Sequence, residues 1–90
     1  MKDITRKILV IDDNRDNLIT LKALIADLFR GYITYTAASG TAGIELARKH
    51  PLDVILLEVL MPVMDGCEVC TLLKDDAQLR DIPVVCVTSL

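Results

Sequence analysis

Four short runs of apolar residues along the chain predict four β-strands. They span Lys7–Asp13, Tyr32–Ala37, Asp53–Glu58 and Ile82–Thr88. Three of these runs are continuous, which is typical of parallel strands buried on both faces. The second run alternates and is rich in residues that favour strands, so we expect it nearer the edge of the sheet.

Between the strands, apolar residues recur at spacings of three and four, which predicts three helices. The first runs from an Asn14 cap to Gly31, a residue type common just beyond a helix. The second runs from Ser39 to His50, because Pro51 disfavours helical backbone in the residue before it. The third begins near Asp65, and Glu68 three residues later completes a pattern like a capping box.

This strict alternation predicts an α/β fold with a three-layer, doubly wound parallel sheet and helices on both faces. A chain of 90 residues is long enough for a single domain, which we assign to residues 1–90. The apolar fourth strand has no later segment in the sequence to cover its far edge. Open apolar edges pair readily, so we expect either that the sequence is a fragment or that a homodimer forms through this edge.

Composition and charge narrow the functions that this domain can have. The net charge is −3, with acids and bases interspersed, so we expect no direct binding of nucleic acid by this segment. No apolar stretch approaches the ~20 residues that span a bilayer, and the N-terminus lacks a signal peptide, so no membrane association is expected. Three cysteines cannot all pair, which fits a reducing cytoplasm.

Acidic residues stand where two of the continuous strands end. Asp12 and Asp13 close the first strand and Glu58 closes the third. If these strands are neighbours, their carboxyl ends meet at one edge of the sheet, where open α/β folds bind ligands. Three adjacent carboxylates repel one another unless a cation neutralises them, and oxygen ligands of this kind favour Mg²⁺. The alternative is that each acid is a solvated loop residue or a helix cap.

Three segments, in order, resemble the signature segments of receiver domains in two-component signalling. They read ILVIDDN from Ile8, DVILLEVLMPVMDG from Asp53 and PVVCVTS from Pro83. The resemblance implies a flavodoxin-like sheet in the order 2-1-3-4, with the family's usual fifth strand missing from residues 1–90. It also implies a phosphorelay module, not an enzyme, that works with a sensor histidine kinase or a histidine phosphotransfer protein.

The same resemblance assigns roles to individual residues. It implies that Asp12 and Asp13 bind Mg²⁺, that Leu60 offers its backbone carbonyl to the metal, and that Thr88 is the switch hydroxyl. The phosphoacceptor aspartate of the family falls on Glu58, which also counts among the metal ligands. Glutamate is longer by one methylene, about 1.5 Å, so we expect a poor acceptor or a partial mimic of the phosphorylated state. The alternative is a pseudo-receiver that cannot be phosphorylated and serves as a protein-interaction module.

The cysteines raise one hypothesis from a different class of function. Cys67 and Cys70 form a C-x-x-C motif at the start of the third helix, as in thiol redox modules. A spacing of three residues is also ordinary helix packing, so both interpretations stay open. Cys86 lies within the fourth predicted strand, where we expect it to be a small buried hydrophobic residue.

Overall fold

Seven elements alternate along residues 5–87, the part of the chain that the computed structural model describes. The four strands are β1 (Arg6–Ile11), β2 (Tyr32–Ala37), β3 (Val54–Glu58) and β4 (Val84–Val87). The three helices are α1 (Arg15–Leu28), α2 (Gly40–Lys49) and α3 (Gly66–Asp75). The predicted alternation of strands and helices is therefore confirmed.

The strands form one parallel sheet in the order β2-β1-β3-β4, as predicted. β1 and β3 are hydrogen-bonded neighbours, and their register places Ile11 opposite Leu57. The residues that follow this pair, Asp12 and Glu58, therefore leave the sheet side by side at its carboxyl edge. This topology brings together the acids of two distant segments.

The sheet is buried on both faces in its centre, as its continuous apolar runs predicted. Alternate residues such as Leu9, Ile11 and Leu57 join a core cluster that includes residues of α2 and α3. The residues between them, such as Val10, join a second cluster that includes residues of α1. Two cores on opposite faces hold β1 and β3 rigidly, which fixes the positions of the residues at their ends.

All three predicted N-caps are present, and in each the cap side chain accepts a hydrogen bond from the backbone N–H three residues later. The pairs are Asn14 with Asn17 at 3.2 Å, Ser39 with Ala42 at 3.2 Å and Asp65 with Glu68 at 2.9 Å. A cap of this kind stabilises a helix by about 1 kcal/mol. These caps begin α1, α2 and α3 beside the carboxyl edge of the sheet.

α1 is shorter than predicted: it ends at Leu28 and not near Gly31. The carbonyl of Phe29 accepts a hydrogen bond from the Tyr32 N–H at 3.2 Å, which closes a turn directly before β2. Gly31 has a φ of 89° in this turn, a conformation that other residue types adopt only with strain. The glycine therefore shapes the turn after the helix and not the helix cap itself.

An ion pair on the surface joins α2 to Asp76, the residue after α3. The Arg48 guanidinium lies 2.9 Å from the Asp76 carboxylate, and its hydrogen bond lowers the pKa of Asp76, helped by the Gln78 N–H. The contact requires ionised Asp76. Its contribution is therefore present above the unfolded pKa of about 3.9 and is lost as pH falls through the lower folded pKa.

β4 lies at one edge of the sheet that residues 5–87 form, and its side chains are more exposed than predicted. Val85 is 49% exposed and Val87 is 44% exposed. Cys86 is also exposed, so the expectation that it is buried is wrong. The reason is its place on an edge strand, whereas the sequence run alone suggested an interior one. The homodimer through this edge stays a prediction.

Candidate acidic site at the carboxyl edge of the sheet

Asp12 and Glu58 form the centre of the candidate site. Asp12 is 5% exposed and Glu58 is 4% exposed, although both are acids. Within residues 5–87 they are the only polar or charged side chains of the buried class. Buried carboxylates are costly unless hydrogen bonds or cations compensate them, so this pair is the candidate for a cation site.

Hydrogen bonds from the start of α1 hold both oxygens of Asp12. Its Oδ1 accepts from the Asn14 N–H at 2.9 Å, and its Oδ2 accepts from the Asn17 side-chain amide at 3.2 Å. The Asp12 N–H in turn donates to the Ala37 carbonyl at 3.0 Å. This carboxylate is fixed in direction before any ligand binds, which is what a binding site requires.

The Glu58 side chain turns back toward the loop that follows β3. Its Oε1 accepts a hydrogen bond from the Leu60 N–H at 3.1 Å. The loop itself is held close to the sheet, because the Val59 N–H donates to the Val87 carbonyl at 3.0 Å and the Val59 carbonyl accepts from Gly66 at 2.9 Å. Glu58 is therefore part of the structure of the β3–α3 loop.

Asp13, the third predicted carboxylate, lies apart from the other two. Asp12 and Glu58 line a groove of about 220 Å³ together with Asn17 and Thr20. Asp13 is exposed and lines a separate cavity beside α2 and the loop after β3. Asp13 lies in the bend that follows β1, beyond the end of the strand.

The remaining predicted site residues are placed only in part. Leu60 is 64% exposed, and its N–H is engaged by Glu58 while its carbonyl is the predicted metal ligand. Thr88, the predicted switch hydroxyl, lies outside the described residues. Across positions 5 to 87, no group of three or more His, Cys, Asp or Glu side chains is gathered closely enough to hold a metal ion. The complete ligand set stays a prediction.

The donors in the groove fit Mg²⁺ by their chemistry. Mg²⁺ prefers oxygen ligands, retains several waters and needs one or two protein carboxylates. Asp12 and Glu58 supply two carboxylates at one end of the groove, and most of its other lining residues are apolar. Asp12 and Glu58 would hold the ion, which would neutralise the paired negative charge.

Two residues that shape the site were missed by the sequence reasoning. Asn17 donates to Asp12 from the first turn of α1, and its position five residues after Asp12 was the available signal. Gly66 begins α3 so close to β3 that a Cβ there would lie 2.7 Å from the Glu58 carbonyl oxygen and from the Val59 Cα. The Met-Asp-Gly sequence marked this position as loop chemistry without indicating the close approach.

Comparison with known proteins assigns the family. The family model for the response regulator receiver domain matches residues 8–90. The chain is a receiver domain. The polar-differentiation response regulator DivK of Brucella ovis is 38% identical over 86 residues, which cover 96% of this chain and 68% of DivK. The response regulator PleD of Caulobacter vibrioides is 41% identical over 87 residues, which cover 97% of this chain but 19% of PleD.

Solved structures confirm the flavodoxin-like fold of this receiver domain. The N-terminal domain of a response regulator receiver protein from Methanoculleus marisnigri superimposes with a TM-score of 0.87 at 34% identity, covering 93% of this chain and 67% of that one. The chemotaxis protein CheY4 of Vibrio cholerae gives a TM-score of 0.84 at 30% identity, covering 92% and 68%.

The family places this chain in two-component signalling. Receiver domains generally act as signalling modules and not as catalysts, and they generally interact with histidine kinases or phosphotransfer proteins. Within residues 5–87, no helix has the length and apolar character needed to cross a membrane.

Proposed function

We propose that this receiver domain binds Mg²⁺ at its acidic site and that Glu58, at the acceptor position, takes up phosphoryl groups poorly. The metal ligands of the proposal are Asp12, Asp13 and Glu58 with the Leu60 carbonyl, and Asp13 would have to turn toward the other two as the metal binds. Thr88 is the switch hydroxyl. The partner is a sensor histidine kinase or a histidine phosphotransfer protein. A cytoplasmic location and the lack of nucleic-acid binding by this segment belong to the same proposal.

One observation carries the proposal: the 3.1 Å hydrogen bond from the Leu60 N–H to Glu58 Oε1. A carboxylate that attacks phosphorus must present an oxygen in line with the leaving group, and misplacement by about 1 Å already costs ~10²-fold in rate. The extra methylene of glutamate carries the carboxylate about 1.5 Å further from the strand, where one of its oxygens accepts from the loop amide. Glu58 therefore makes within the protein a contact that competes with attack on an incoming phosphoryl group.

The same contact supports a partial mimic of the phosphorylated state. A phosphoryl group on an aspartate adds oxygen acceptors beyond the strand end, in the direction of the loop. The longer side chain of Glu58 places a carboxylate oxygen further out by about 1.5 Å and engages the Leu60 amide there. The chain would then hold its β3–α3 loop partly in the conformation of the phosphorylated state without being phosphorylated.

A pseudo-receiver that only binds other proteins is the second candidate function. The loop after Glu58 exposes apolar side chains, with Val63 94% exposed and Leu60 64% exposed. Exposed apolar residues next to a rigid site are typical of contact surfaces between proteins. In this alternative the acidic site binds no metal. The two candidate functions therefore differ in whether Mg²⁺ stabilises the fold.

Incubation with acetyl phosphate and Mg²⁺ tests the acceptor part of the proposal. Intact-protein mass spectrometry would follow the mass gain of one phosphoryl group per chain. We expect little labelling of the natural chain at times that suffice for an aspartate-bearing receiver. The Glu58 oxygens lie further from the strand than those of an aspartate, and one of them accepts from the Leu60 N–H. Stoichiometric labelling that maps to Glu58 would contradict the proposal.

A further inference from the structure

All three cysteines of the chain line one groove between α3 and β4. Cys67 and Cys70 lie in the first two turns of α3, and Cys86 lies on β4. The groove has a volume of about 460 Å³, and Lys74 contributes to its rim. Cys67 and Cys86 are exposed, Cys70 is half-buried, and all three are free thiols. Small thiol-reactive molecules can therefore reach this cluster.

The backbone at Cys67 and Cys70 permits a disulfide, but only a strained one. Residues three apart in an α-helix have Cα atoms about 5 Å apart, within the range that disulfides span. Their Cβ atoms are roughly 5–6 Å apart, whereas a disulfide needs about 3.5–4.5 Å. The first turn must tighten for the bond to form. Strained and exposed disulfides are the ones that are easily reduced.

We propose that Cys67 and Cys70 form a reversible thiol–disulfide site that reacts with small disulfides such as oxidised glutathione. The Cys67 thiolate attacks the small disulfide, forms a mixed disulfide and releases one thiol, after its own proton has passed to solvent. The Cys70 thiolate then attacks the Cys67 sulfur and releases the second thiol. In the net reaction, the two protein thiols are oxidised to one disulfide, and the small disulfide is reduced to two thiols.

Cys67 and Cys70 are favoured over Cys86 as the reacting pair. They are held on one helix three residues apart, so Cys70 lies on the same face as Cys67 and the second attack closes a very short loop. Cys86 belongs to another element, on the strand that pairs with β3. It lines the same groove and is exposed, which makes it the control for a thiol outside the C-x-x-C motif.

Oxidation of Cys67 and Cys70 would alter the acidic site through the contacts of Gly66. Gly66 precedes Cys67, and its N–H donates to the Val59 carbonyl at 2.9 Å. The next residue of that loop, Leu60, donates to Glu58. Tightening the first turn of α3 displaces Gly66 and weakens this chain of contacts. The link to signalling rests on the proposed function of Glu58, whereas the thiol chemistry does not.

Disulfide mapping tests the thiol chemistry. The full chain would be equilibrated with mixtures of oxidised and reduced glutathione, quenched with acid, alkylated and analysed by peptide mass spectrometry. We expect one Cys67–Cys70 disulfide with Cys86 alkylated, and full return to three thiols on adding dithiothreitol. Cys86→Ser should behave identically, while Cys67→Ser and Cys70→Ala should form no internal disulfide. A bridge to Cys86, a lasting mixed disulfide in the natural chain or no oxidation would each overturn the proposal.

Hydrogen exchange tests the link to the acidic site separately. On oxidation, we expect the amides of residues 59–66 to exchange on the order of tenfold faster, because local contacts are weakened. The amides of β1 serve as the internal control and should not change. Exchange in 59–66 that stays the same after complete oxidation would overturn the coupling. Because this measurement uses no phosphoryl donor, its result is independent of whether Glu58 can be phosphorylated.

Discussion

Glu58→Asp is expected to raise the rate of phosphoryl uptake from acetyl phosphate, in the presence of Mg²⁺, by about 10²-fold. Aspartate is shorter by one methylene, about 1.5 Å, so its oxygens lie closer to the strand end than those of Glu58, one of which accepts from the Leu60 N–H at 3.1 Å. The oxygens are then available at the strand end, beside Asp12. The initial rate of phosphoryl mass gain in the variant and in the natural chain measures the effect.

Two variants control this measurement. Glu58→Gln keeps the length of the side chain and removes the charge, so it should stay unlabelled. Adding Asp12→Asn to Glu58→Asp should abolish the gain, because Asp12 supplies the neighbouring carboxylate on which the metal depends. Equal rates for Glu58→Asp and the natural chain would show that side-chain length does not limit the reaction.

Gly66→Ala is expected to lower the free energy of unfolding by about 3 kcal/mol, at the upper end of what overpacking costs. The added Cβ would lie 2.7 Å from the Glu58 carbonyl oxygen and from the Val59 Cα, and both are backbone atoms that cannot rotate away. Inside a helix, alanine is otherwise more favourable than glycine by about 1 kcal/mol, so helix propensity offsets part of the expected loss of stability. Urea unfolding followed by circular dichroism measures the difference.

Cys67→Ala is the matched control for Gly66→Ala. It changes the next residue of the same helix turn, which is exposed, and should alter stability by no more than about 0.5 kcal/mol. If Gly66→Ala proved as stable as the natural chain, α3 would not pack against the end of β3 as described. Phosphoryl labelling of the double variant Gly66→Ala, Glu58→Asp would show whether the close packing of Gly66 on the end of β3 also positions the acceptor.

The fold was predictable because its signals are local. The continuous apolar runs of β1 and β3 can only be satisfied by burial on both faces, and that requirement alone implies a parallel sheet covered by helices. The N-caps were predictable for the same reason, since Asn14, Ser39 and Asp65 act within three residues of themselves. Gly31 and Cys86 were interpreted less well, because a turn after a helix and an edge strand depend on neighbours that sequence periodicity does not reveal.

The acidic site was predictable only to the extent that topology determines it. Asp12 and Glu58 end adjacent parallel strands, so any sheet with this order brings them together. The position of Asp13 in a different cavity depends on the bend that follows β1. The contact of Asn17 with Asp12 and the packing of Gly66 on Glu58 depend on how α1 and α3 are docked. The spacing of five residues between Asp12 and Asn17 was the one sequence signal of this tertiary placement.

Titration with Mg²⁺ tests the central claim, that the acidic site holds a cation, most directly. If the claim is right, the free energy of unfolding of the natural chain should rise with Mg²⁺, by about 2.7 kcal/mol at 100 times the dissociation constant. Asp12→Asn, which keeps an oxygen to accept from Asn14 while losing the charge, should remove this rise. Choline chloride at matched ionic strength controls for screening of charge. Equal stability of the natural chain in Mg²⁺ and in choline chloride would contradict the claim.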